Sequence, residues 1–182
     1  MTGGVSMEPK QSGGRIRILF VCWGNICRSP MAEFVMKDMV KRAGLENRFE
    51  IASAATSDEE IGPDGTGNPV YPPARRILAA HGLDCGDKRA RQLTREDYAK
   101  WDLLLGMEEM NLRYMRRICG GDPEKKIRRL LDYAKNPRDI ADPWFSGDFE
   151  SALRDISEGC AALLAALTKG RHSDRRNDRD SG

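Results

Sequence analysis

Cys22-Trp23-Gly24-Asn25-Ile26-Cys27-Arg28-Ser29-Pro30 is the stretch on which the reading of this chain turns. Upstream, Ile16 to Cys22 is a short apolar run rich in β-branched residues, as expected of a strand buried on both faces. Downstream, Met31, Phe34, Val35, Met39 and Val40 repeat at helical spacing and predict a helix over 30–43. Ser29 suits the N-cap of that helix, Pro30 its first position and Gly44 its stop. The nine residues are therefore a strand-to-helix turn.

Further along, the same alternation continues. A second strand is expected at 49–54, then a Gly/Pro-rich loop over 62–73 leading into a helix that closes at His81-Gly82. Leu103 to Gly106 reads as a third strand, 108–118 as a helix and 126–131 as a fourth strand. A long loop, 133–148, precedes a last helix over 149–167, where Leu153, Ile156, Cys160, Leu163, Leu164 and Leu167 form an apolar stripe. Strands alternating with helices define an α/β fold with a parallel sheet covered on both faces. Residues 1–14 and 170–182 are polar, have no face to bury and read as disordered tails flanking one domain, 15–169. In such sheets ligands sit beyond the carboxyl ends of strands where the strand order reverses. The turn after the first strand is the place to look.

Composition bounds the answer. The 182 residues suit one domain, and a net charge of +2 with 32% charged residues gives no argument for nucleic acid. The apolar run 18–23 is too short to span a membrane, and the N-terminal residues lack the apolar core of a secretory signal. Five scattered cysteines (22, 27, 85, 119 and 160) have no zinc-ligand spacing and suggest reduced thiols in a cytoplasmic protein.

The turn itself carries chemistry. A loop opening into a helix aims backbone N–H groups and the helix dipole at one point, a ready cradle for phosphate. Gly24 and Asn25 tolerate the positive φ a tight cradle needs. Arg28 can fork onto two phosphate oxygens. Cys22 lies at the base, where amides, dipole and Arg28 stabilise a thiolate poised to attack phosphorus. The Ser29 hydroxyl can donate to that thiolate and later help it leave. The bland alternative is a cysteine buried at a strand end. A phosphate met by amides and Arg28 implies no metal and no cofactor.

Residues 21–33, Val-Cys-Trp-Gly-Asn-Ile-Cys-Arg-Ser-Pro-Met-Ala-Glu, resemble the signature of the low-molecular-weight protein tyrosine phosphatases. The resemblance continues through Ser53-Ala54-Ala55-Thr56-Ser57, His81-Gly82 and Asp142-Pro143-Trp144, covering about 16–167. It implies a three-layer sandwich with a four-stranded parallel sheet and the phosphate-binding loop after the first strand. It also implies hydrolysis of phosphotyrosine in protein substrates through a phosphocysteine on Cys22, with Arg28 holding phosphate. From composition Asp142-Pro143 is a turn signal; the resemblance makes Asp142 the general acid and base. A hydrogen-bond network supporting the loop carries over onto Asn25, Ser29, Ser53 and His81, although a histidine before a Gly C-cap is also an ordinary helix end. Cys27 carries over as a partner for a reversible disulfide with Cys22, or else as a small packing residue.

A deep sulfur reached by a long flat ester favours phosphotyrosine over phosphoserine, with Trp23, Trp144 and Phe145 as walls and Ile26 within the loop. Together with Gly24, Asn25, Cys27 and Ser29 these make up the expected substrate-binding set. Ile26 stands where the related protein arginine phosphatase has threonine. Glu59 is acidic where some members place an aromatic, residues 62–66 look like a short insertion, and Phe145 stands where many members have tyrosine. The alternatives are a thiol-dependent arsenate reductase, for which Cys85 and Cys119 form no close pair, a protein arginine phosphatase, and a non-catalytic phosphate-binding module, which needs neither thiol nor acid.

Overall fold

Strand β1, Ile16–Cys22, is the centre of the molecule. Its side chains alternate as the strand period demands. Ile18, Phe20 and Cys22 enter one core, and Leu19 and Val21 enter another on the opposite face. This computed structural model describes residues 14–169; the expected tails lie outside the described residues apart from Gly14.

The remaining strands are β2 (Phe49–Ala55), β3 (Leu103–Gly106) and β4 (Ile127–Arg129), all parallel in the order β2-β1-β3-β4. The chain leaves β1 toward one edge of the sheet and later returns to build the other. The order therefore reverses beside β1, at its carboxyl end.

One face is covered by α1 (Arg28–Arg42), α2 (Pro72–Ala80) and α6 (Phe149–Thr168), which pack Met31, Val35, Met36, Leu78, Leu153, Ile156 and Leu163 against it. The other face packs Trp101, Leu112 and Met115, contributed by the end of α3 (Asp97–Lys100) and by α4 (Glu109–Cys119). The expected three layers and four parallel strands are present. Among the described residues no helix is long and apolar enough to cross a membrane.

Three local expectations are corrected. Helix α1 begins at Arg28, its N-cap is Cys27, and Ser29 makes no capping bond; its hydroxyl is drawn inward to sulfur instead. The fourth strand is shorter than 126–131, because Leu130–Tyr133 tightens into a 3-10 turn. The long loop also contains a four-residue helix, α5 (Pro143–Ser146), which Asp142 caps by accepting from the Trp144 N–H at 3.1 Å.

Candidate active site

Between β1 and α1 the backbone turns within five residues, and Asn25 takes φ of 58°. Few side chains accept that conformation, and asparagine is one of them. Gly24, also expected at positive φ, is not among the residues that adopt it. A Cβ there would lie 3.2 Å from Glu60 Cγ, so close approach is what restricts the position.

Cys22 ends β1 at the floor of the turn. Its Sγ accepts from the Asn25 N–H at 3.3 Å and lies 3.0 Å from Ser29 Oγ. Behind the loop, Asn25 Nδ2 donates to Ser29 Oγ (2.8 Å) and Ser53 Oγ (2.9 Å), while Asn25 Oδ1 accepts from the Arg91 N–H (3.1 Å). Ser53 donates to Glu33 Oε1 at 2.6 Å. The hydrogen bonds pin a loop that the backbone alone would leave loose.

Arg28 is 1% exposed, and both of its terminal nitrogens have partners. Nη1 donates to the Ile140 carbonyl (2.7 Å) and lies 3.1 Å from Glu108 Oε2; Nη2 lies 3.3 Å from Asp142 Oδ2. Burial opposes its charge, but Cys22, Glu108 and Asp142 together hold the guanidinium above its ordinary pKa. Cys27 is buried beside Cys22, and burial first, then the neighbouring negative groups, push its thiol far above the ordinary value. All five cysteines are free.

A pocket of 160 Å³ opens over Cys22, lined by Trp23, Gly24, Ile26, Cys27 and Arg28 from the loop, Glu59 and Glu60 from one rim, and Asp142, Trp144 and Phe145 from the other. Asn25 and Ser29, expected to bind substrate, do not line it; their side chains face the supporting network. His81 is corrected as a network member: it is exposed at the end of α2, and its side chain makes no hydrogen bond or ion pair among the described residues. Its amide merely continues the helix by bonding to Leu78. Residues 62–66 form a tight turn away from the lining.

Several residues of the site escaped the sequence reading. Glu108 holds Arg28, Glu33 and Lys88 stand behind Ser53, and Tyr71 packs against Trp144 with the rings tilted and centroids 4.6 Å apart. Tyr114 meets Trp23 edge-on at 5.3 Å. Glu33 did leave one signal, a carboxylate set among buried residues of α1. Among the described residues no cluster of three His, Cys, Asp or Glu could hold a metal ion.

A cysteine below a tight strand-to-helix turn, faced by a buried arginine and a carboxylate, is the candidate thiol site of this parallel α/β fold. Residues 17–173 match the family described as low molecular weight phosphotyrosine protein phosphatase. The low molecular weight protein-tyrosine-phosphatase YfkJ of Bacillus subtilis is 36% identical, over 85% of this chain and 97% of its own. Its crystal structure superposes with a TM-score of 0.81 at 35% identity, covering 88% of this chain and 99% of that one. The low molecular weight phosphotyrosine protein phosphatase of Gallus gallus is 37% identical, over 81% of this chain and 92% of its own. The Drosophila arginine phosphatase has a TM-score of 0.73 at 26% identity, covering 90% of this chain and 99% of that one. The chain belongs to the low molecular weight phosphotyrosine protein phosphatase family.

Proposed function

We propose that this chain hydrolyses phosphotyrosine in cytoplasmic proteins, with Cys22 as nucleophile, Arg28 as phosphate ligand and Asp142 as general acid and base. The observation that carries the reading is the convergence of these three groups on one pocket. Phosphate enters between the turn's amides and Arg28, displacing Asp142 from the guanidinium. The Cys22 thiolate attacks phosphorus in line: the S–P bond forms, the P–O bond breaks, and its electron pair leaves on the tyrosine oxygen. Protonated Asp142 supplies that oxygen with a proton. Asp142, now a carboxylate, takes a proton from water; hydroxide attacks phosphorus, the S–P bond breaks and the thiolate returns.

Reach favours tyrosine. Cys22 is 4% exposed on the floor, whereas Trp144 and Phe145 are 51% and 85% exposed at the mouth. A flat ring spans that depth between aromatic walls, while a serine ester is too short. Arsenate reduction would need resolving thiols close together, and Cys85 and Cys119 pack in cores on opposite faces of the sheet. The test is turnover of para-nitrophenyl phosphate and of phosphotyrosine, phosphoserine and phosphoarginine peptides. Turnover led by the phosphotyrosine peptide and abolished by Cys22→Ser is expected; preference for phosphoarginine, or activity surviving Cys22→Ser, would overturn the proposal.

A further inference from the structure

Helix α4 turns Leu112, Met115 and Cys119 into the core, as an amphipathic helix does. Its solvent face carries two residues that the core does not call for. Met110 is 52% exposed and Tyr114 is half-buried. Both share that face with Arg113 and Arg117, because positions three, four and seven apart align on a helix.

This face is continuous with the pocket over Cys22. Trp23, which lines the pocket, meets Tyr114 edge-on with centroids 5.3 Å apart, and the Arg117 guanidinium lies over the Tyr114 ring, 5.6 Å from its centroid. The Trp23 indole N–H also donates to Glu59 at 2.9 Å, which fixes the ring at a second point. Successive contacts thus run from Glu59 through Trp23 and Tyr114 to Arg117. The strip is acidic at its first member, aromatic in the middle and basic at its last.

We propose that this strip docks the residues flanking phosphotyrosine, seating an apolar side chain on Trp23 and Tyr114 and an acidic one on Arg117. The inference rests on the phosphotyrosine reading of the pocket. The strip starts in the pocket wall, so the chain that reaches it is the substrate's own peptide. The steps of 5.3 Å and 5.6 Å from Trp23 to the guanidinium match about three residues of extended peptide at ~3.3 Å each. An arginine stacked on a ring keeps its edge free to fork onto a carboxylate. Glu59 and Glu60, on the pocket rim, repel the same acidic residue and so fix which way the charge lies.

The test uses the full chain and phosphotyrosine peptides carrying Asp or Lys at one position, three residues before or three residues after the phosphotyrosine. The readout is the ratio of kcat/KM for the Asp peptide to that for the Lys peptide. In the parent it should reach about fivefold on one of the two sides, the scale of an exposed ion pair set against a like-charged contact. It should shrink at about 1 M salt, where exposed charges are screened. Arg117→Glu should invert the ratio on that side. Tyr114→Ala should reduce a preference for Leu over Gly next to phosphotyrosine from about fivefold to below about twofold. Each readout compares two peptides on one enzyme, so changes in turnover common to both cancel. Parent ratios of one or less on both sides, or a preference that Arg117→Glu leaves in place, would overturn the proposal while para-nitrophenyl phosphate is still turned over. Parent protein that turns over neither para-nitrophenyl phosphate nor any phosphotyrosine peptide counts instead against the phosphatase reading.

Discussion

The two segments that meet over the pocket are held in contrasting ways. The loop carrying Cys22 and Arg28 is buried and tied to β2, the second turn of α1 and the 88–91 segment by side-chain hydrogen bonds. The segment carrying Asp142 is anchored by the buried Ile140 and Pro143, but its rim residues Trp144 and Phe145 stand in solvent. Asp142 itself is fixed by its own helix cap and by Arg28. The nucleophile needs one geometry throughout, so its surroundings over-determine it. The acid must give up its partner when phosphate arrives, so a lightly held carboxylate suits it.

That contrast can be broken from either side. Asp142→Ala should lower turnover of an ordinary phosphotyrosine peptide by about two to four orders of magnitude. The loss should be smaller for para-nitrophenyl phosphate, whose leaving group needs little protonation; equal losses would remove Asp142 as the proton donor. Arg28→Lys keeps the charge but loses the fork, and kcat/KM should fall by about 10²–10³, the cost of removing one transition-state donor. Asp142→Ala should melt close to the parent, separating chemistry from folding.

Support of the rigid side can be tested through Asp97. Burial alone would raise its pKa, but Arg91, the Thr94 N–H and Trp101 outweigh it and hold the carboxyl below its ordinary value. A lowered folded value means stability present above the unfolded pKa of about 3.9 and lost as pH falls through the folded one. Asp97→Asn should therefore destabilise by about 1.5–3 kcal/mol at neutral pH, with the gap in Tm narrowing below about pH 4. A gap independent of pH would assign the effect to packing alone. Phe145→Ala, at the exposed rim, should leave stability within about 0.5 kcal/mol and raise KM for a phosphotyrosine peptide a few-fold; an unchanged KM would take Phe145 out of the substrate wall.

The nucleophile side was legible in the sequence because its signals are local. A buried strand, a turn with Gly24 and Asn25 and an amphipathic helix follow one another in 16–42, and the four-strand alternation followed from the same periodicities. Asp142 was legible only by resemblance, since an Asp-Pro pair marks turns everywhere. The supporting residues were hidden because they act across long sequence distances. Glu33 meets Ser53 and Lys88, and Arg28 reaches Glu108 and Ile140, through the sheet's topology. The network role given to His81 fell on a helix end that lies outside it, while Lys88 in the following irregular segment reaches Ser53. Short helices such as Asp97–Lys100 and Pro143–Ser146 span too few residues for any periodicity to show.

The measurement that bears most directly on the account is identification of the phosphorylated residue. Enzyme quenched in acid during turnover of para-nitrophenyl phosphate, then digested and sequenced by mass spectrometry, should carry one phosphate on Cys22 and none on Cys27. Phosphate on any other residue, or none at any quench time while product accumulates, would contradict it.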